Sequence, residues 1–309
     1  MLIPASSGPP MSSEAGHGEP RDTQMHKALI HRRMDRSRRL LAASLCIILC
    51  GCEAAQSVRL DRAQRIAESG GLTERDIAAG RFLLRSYERI GDPANGTARV
   101  YIEGDGLAWL GRNRPSPDPT PINPVALSLA QADRGANVAY LARPCQYNGA
   151  FDGKACPEKY WKSARFSPEI VKAMNDVLDG LKRRHGLHRF ELVGYSGGGA
   201  VALLMAAGRS DIASIRTVAG NLDTEAFSKL HNVSAMTESL NPASVARRIS
   251  AIPQMHFVGG RDAIVPAGIY QAYRDAAGPG KKISVTILPE ADHENGWVEQ
   301  WPALLAQQL

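Results

Sequence analysis

A serine set among glycines, three histidines downstream of it and several acidic residues at strand boundaries have types and spacing suited to covalent chemistry. The serine is Ser196, in Gly194-Tyr195-Ser196-Gly197-Gly198. A hydroxyl is a weak nucleophile and needs a base within hydrogen-bond reach, itself oriented by an acid. Downstream lie His231, His256 and His293. His256 falls inside a strand-like run and reads as a packed core residue. His231 falls in a polar region and reads as a surface residue. His293, in Glu290-Ala291-Asp292-His293, follows the last strand-like run and is the expected base. Asp262, in Gly259-Gly260-Arg261-Asp262-Ala263-Ile264-Val265-Pro266, follows the penultimate strand and is the expected acid. Asp223, in Gly220-Asn221-Leu222-Asp223, is the runner-up, and Asp292 is expected to point away from its neighbour His293. A tetrahedral intermediate also needs backbone donors for its oxyanion. One is expected at Gly197; the other comes from Glu103-Gly104-Asp105-Gly106, at Asp105 or Gly106, with Asp105 preferred. This chemistry calls for no metal and no organic cofactor.

By composition alone, a Gly-x-Ser-x-Gly pentapeptide arises in a chain this long with probability roughly 0.2. Its setting carries the weight. Phe190–Val193 reads as a short strand, and the Ala- and Leu-rich run 200–208 as a buried helix, so Ser196 stands at a sharp strand-to-helix turn. Upstream, Phe82–Ile90 and Ala98–Glu103 read as strands that open the domain as a hairpin. Prolines at 115, 117, 119, 121 and 124 keep 111–124 loop-like. A helix at 124–133 and a strand at Ala136–Ala142 follow. Ser167-Pro168 then starts a helix, with Ile170, Val171, Met174, Val177, Leu178 and Leu181 on one face. Further strands are expected at Ile215–Ala219, Met255–Val258 and Ile283–Leu288. The alternation predicts an α/β fold: a mostly parallel central sheet with helices on both faces, and a small cap over 222–250. One domain is expected over 80–309, preceded by a tether or short helix over 52–79. Trp109, Tyr160, Trp161 and Phe166 lie near predicted loops, and packing is their default reading.

Residues 1–51 carry seven Lys/Arg against four Asp/Glu, so half of the net charge of +6 sits there. No basic run interleaved with aromatics follows, which argues against a nucleic-acid partner. The apolar run Leu40–Leu49 follows Arg36, Arg38 and Arg39 and is too short to span a bilayer as a helix. It reads as an export signal over 34–51, with Met34 as its start and residues 1–33 as a disordered or mis-assigned extension. Its end, Leu49-Cys50-Gly51-Cys52, resembles a bacterial lipobox, which implies lipidation of Cys52 and a membrane anchor in the cell envelope, on its periplasmic face. Cys46 and Cys50 then leave with the signal. Cys145 and Cys156 remain as a pair in an oxidising compartment and are expected to form a disulfide.

Taken together, Tyr101–Gly106, the Gly194–Gly199 turn, Val258–Pro266 and Asp292-His293 resemble the α/β-hydrolase superfamily over roughly residues 80–305. Within it the chain is similar to bacterial lipid-anchored hydrolases of undefined substrate. The resemblance implies the order nucleophile, acid, histidine, met by Ser196, Asp262 and His293. Glu103 departs from it, because many members carry His at that point of the oxyanion loop. The expected activity is that of a carboxylesterase-like serine hydrolase acting on a small ester or related acyl compound. A peptidase or amidase on the same fold, or a non-catalytic envelope binding lipoprotein, are the alternatives.

Overall fold

The computed structural model describes residues 56–147, 150–279 and 282–309. The expected extension, the export signal and Cys52 lie outside the described residues. Residues 56–69 form helix α1, and the sheet opens at β1 (Thr73–Ala79), ahead of the domain boundary expected at 80. The remaining principal strands are β2 (Phe82–Ile90), β3 (Thr97–Ile102), β4 (Asn137–Leu141), β5 (Arg189–Tyr195), β6 (Ile212–Val218), β7 (Gln254–Gly259) and β8 (Ile283–Leu288). Their spatial order is β1-β2-β4-β3-β5-β6-β7-β8. Pairings β1–β2 and β2–β4 are antiparallel and all the others along this order are parallel.

The expected hairpin is therefore drawn differently. β2 pairs with β1 on one side and with β4 on the other, while β3 lies between β4 and β5. Alternation along a strand specifies which side chains are buried, not which strand lies alongside.

Helices cover both faces because both faces are apolar. In β3, Val100 and Ile102 point into one core and Tyr101 into the other, as the two-residue period of a strand requires. The first core packs against α3 (Pro168–His185), α4 (Gly197–Ala206) and α6 (Ala267–Ala277). The second packs against α1, α2 (Val125–Ala132) and α7 (Trp301–Leu305), with Trp297 and Trp301 fully buried. Ser167 caps α3 by accepting from the Ile170 N–H, Pro168 sits in its first turn, and Gly186 ends it at φ 65°. Between β6 and β7, α5 (Thr224–His231) and a 3-10 turn at Pro242–Val245 occupy the stretch expected as a cap.

α4 begins with three glycines, each costing about 1 kcal/mol relative to Ala in a helix. Every residue of α4 is buried. Burial of each Val, Leu or Met side chain stabilises by about 1.5–3 kcal/mol, which outweighs that start. The disulfide Cys145–Cys156 is formed, with Cα atoms 5.5 Å apart, and closes the loop after β4.

Candidate active site

β5 runs directly into α4, and Ser196 is the single residue between them, with φ 50° and ψ −119°. That positive-φ conformation costs a non-glycine residue on the order of 1–3 kcal/mol. It is held by the neighbouring backbone: Ser196 N–H donates to Val218 O at 2.9 Å, and its carbonyl accepts from Asn221 N–H at 3.0 Å. Two glycines are needed for steric reasons. A Cβ on Gly194 would run into the Gly198 carbonyl, and one on Gly198 would run into the Ile102 carbonyl at the end of β3.

The three residues expected to act together meet. His293 Nε2 lies 3.0 Å from Ser196 Oγ, and His293 Nδ1 lies 2.9 Å from Asp262 Oδ2. The Asp262 side chain is wholly buried, and that of His293 is 13% exposed. Asp262 Oδ1 accepts from the N–H groups of Ile264 and Val265, both at 2.8 Å, which leaves Oδ2 for the imidazole. The His293 carbonyl accepts from Tyr195 OH and from Trp297 Nε1, so the backbone that carries the ring is held by two donors. In this geometry the imidazole can take the Ser196 proton through Nε2 while Nδ1–H stays on the carboxylate.

The other candidates are otherwise engaged. Asp223 caps α5, accepting from the N–H groups of Glu225 and Ala226 and from Asn241 Nδ2. Asp292 closes its own turn on Glu294 and Asn295, and the Asn295 side-chain and backbone donors hold its carboxyl below the usual range. His256 is fully buried between Thr217 Oγ1 and Gln254 Oε1, and burial pushes it down to about 3, so it is neutral. His231 lies at the surface and meets the Ile264 carbonyl.

Ser196 and His293 line a cavity of about 340 Å³, with Trp109, Ile122, Phe227 and Ile264 on its apolar walls. Of the aromatics near predicted loops, only Trp109 reaches it; Tyr160, Trp161 and Phe166 pack in the first core. Gly197 opens α4, where the first N–H groups have no intrahelical acceptor, and the Ser196 side chain does not cap that end. The Asp105 carboxylate lies over Gly197, where a Cβ would strike its Oδ1. It is in turn held by Arg143 Nη1 at 3.2 Å and Arg165 Nη1 at 2.8 Å.

Glu103, directly before this loop, is buried under the cavity. Its Oε1 accepts from the Gly104 N–H at 2.9 Å and the Ala126 N–H at 3.4 Å, and Tyr140 OH donates to its Oε2 at 3.2 Å. Burial pushes its carboxyl up to about 7 despite these donors. Arg143, Arg165 and Asn221 were not among the residues expected at the site. Asn221 lines the cavity beside Ser196, with its Oδ1 buried and without a partner among the described residues. The signal for Asn221 was its place in a strand-end glycine turn; no pattern in the sequence linked either arginine to Asp105.

The sequence matches no protein-family model and no curated protein. The fold is similar to many solved structures. An esterase of Pyrococcus furiosus superposes with a TM-score of 0.52 at 12% identity, over 76% of this chain and 85% of that one. Est1E of Butyrivibrio proteoclasticus gives 0.52 at 13% identity, over 75% and 95%. A puromycin hydrolase gives 0.54 at 16% identity over 74% of this chain, which spans only 37% of that protein. At these identities the likeness shows a shared fold.

Proposed function

The chain has the α/β-hydrolase fold, and on that premise we propose that it is a serine hydrolase cleaving an ester or related acyl bond through an acyl-enzyme on Ser196. The observation that carries this reading is the continuous line Ser196 Oγ, His293 Nε2, His293 Nδ1, Asp262 Oδ2, with links of 3.0 and 2.9 Å, opening on a cavity. Ser196 Oγ attacks the substrate carbonyl carbon while His293 takes its proton. The N–H groups of Gly197 and Asp105 hold the oxyanion. Asp262 stabilises the imidazolium, which then protonates the leaving alcohol as the bond to it breaks. Water, deprotonated by the same histidine, attacks the acyl-enzyme; the acyl–Oγ bond breaks, the acid leaves, and the imidazolium returns its proton to Ser196 Oγ.

We place this chemistry outside the cytoplasm, on a chain exported by residues 34–51 and anchored in the membrane through lipidated Cys52. The test of the nucleophile is labelling by a fluorophosphonate with mapping of the modified residue. Ser196 is the expected site, and Ser196→Ala is expected to lose both label and turnover of activated esters. Full turnover by Ser196→Ala would sink the assignment. Metabolic labelling with a fatty-acid analogue tests the anchor: incorporation abolished by Cys52→Ala is expected, and unchanged incorporation would refute it.

A further inference from the structure

One wall of the cavity is charged, and its balance is uneven. Asp105 is a single carboxylate, and two guanidinium groups, Arg143 and Arg165, converge on it. Arg143 is 4% exposed and turned away from the cavity's open side: its Nη1 goes to Asp105, its Nη2 to the Arg165 carbonyl, and its Nε is buried with no partner among the described residues. Arg165 is committed only in part. Its Nε donates to the Lys162 carbonyl at 3.0 Å and its Nη1 to Asp105 at 2.8 Å. Among the described residues no acceptor meets its Nη2, and the side chain, 14% exposed, lines the cavity that contains Ser196. Both guanidiniums also lie over the Phe166 ring, at 5.3 and 5.9 Å from its centroid, which fixes them further. A partly desolvated guanidinium with an unused donor, beside a second guanidinium and the one carboxylate they share, suits a monoanion better than a dianionic phosphate.

We propose that Arg165 binds a carboxylate carried by the acyl part of the substrate, making the preferred substrates half-esters of short dicarboxylic acids. This rests on the reading of Ser196 as nucleophile. The placement follows from two contacts. Asp105 touches both Gly197, beside the reacting carbonyl, and Arg165, so the second carboxylate sits a short chain away from the scissile bond. The leaving group must lie near His293, whose neighbour Glu294 also lines the cavity and would repel an anionic alcohol. The negative group therefore belongs to the acyl side.

The experiment compares monomethyl succinate with methyl butyrate, which match in acyl length and differ in the carboxylate, by methanol release. Wild-type protein is expected to favour the succinate in kcat/KM, mainly through KM. Arg165→Gln is expected to lower the succinate-to-butyrate ratio about tenfold or more, whatever it does to butyrate alone, and Arg165→Lys to restore part of it. Equal or better use of methyl butyrate by wild type, or an unchanged ratio in Arg165→Gln, overturns the proposal. Should Arg165→Gln fail to fold, inhibition of wild-type methyl butyrate hydrolysis decides instead. Succinamate, the half-amide with a single carboxylate, must compete at least about tenfold better than butyramide, and equal inhibition refutes the carboxylate site. Labelling of Ser196 together with turnover of methyl butyrate would leave the serine-hydrolase reading intact even if the carboxylate preference failed.

Discussion

The turns that follow β6 and β7 are built alike and serve differently. Each carries an aspartate just beyond a parallel strand of the same sheet, and in each one carboxylate oxygen accepts from two backbone N–H groups. At Asp223 those N–H groups belong to the first turn of α5, and the same Oδ1 also takes Asn241 Nδ2, so the residue is spent on capping a helix. At Asp262 they belong to its own turn, and Oδ2 is left facing His293 at 2.9 Å. Residue type and position at a strand end therefore do not separate a helix-capping carboxylate from one that faces a histidine. What separates them is which group claims the second oxygen, and that depends on the loop after β8.

The largest expected effect tests the β7 side of this contrast. Asp262→Asn keeps the shape but leaves Nδ1 without a carboxylate to orient it, and kcat should fall by roughly 10⁴. A loss of less than about tenfold, measured by ester hydrolysis on folded protein, would mean the two turns are not so different.

Glu103 sharpens the contrast, as a third carboxyl beyond a strand end, after β3, with its oxygens taken by Gly104, Ala126 and Tyr140. Its folded value of about 7 lies above the ordinary 4.5. Its stabilising contribution is thus fully present below pH 4.5 and is lost as pH rises through 7. Glu103→Gln does not titrate, so its melting temperature relative to wild type should climb between those values and then level off. The change is on the order of 1–3 kcal/mol. Parallel pH profiles of the two proteins would show that Glu103 is not held in its protonated form.

The smallest effect is expected on the β6 side. Asp223→Ala removes a helix cap and should cost about 1 kcal/mol, a fall of about 2–4 °C in Tm, with kcat within about twofold of wild type. A large loss of kcat with unchanged Tm would reverse the roles assigned to the two turns.

Much of the sheet and the Ser196, Asp262 and His293 set was legible because each depends on short-range signals. Ser196 sits where a strand pattern meets a buried helix, and the other two follow strand-like runs. β1 was not legible. Its Thr73–Ala79 segment is mostly exposed and charged at an edge, so neither apolar alternation nor a buried run marks it. The Arg143 and Arg165 contacts to Asp105 span 38 and 60 residues and depend on how two loops meet, which no local pattern encodes. Asp105 itself was singled out for its backbone, while its side chain turned out to tie the loop to both arginines.

The Cys145–Cys156 loop bears on how the protein must be made. Between its half-cystines, Gln146 donates from Nε2 to the Gly104 carbonyl at 2.9 Å, and Tyr147 N–H donates to Thr120 Oγ1. The cystine thus buttresses the loop that carries Asp105, far from it in sequence. Protein prepared in a reducing cytosol would carry Ser196, Asp262 and His293, the set proposed for catalysis, on a slackened support. Turnover in the proposed reaction would then vary with the oxidation history of the preparation.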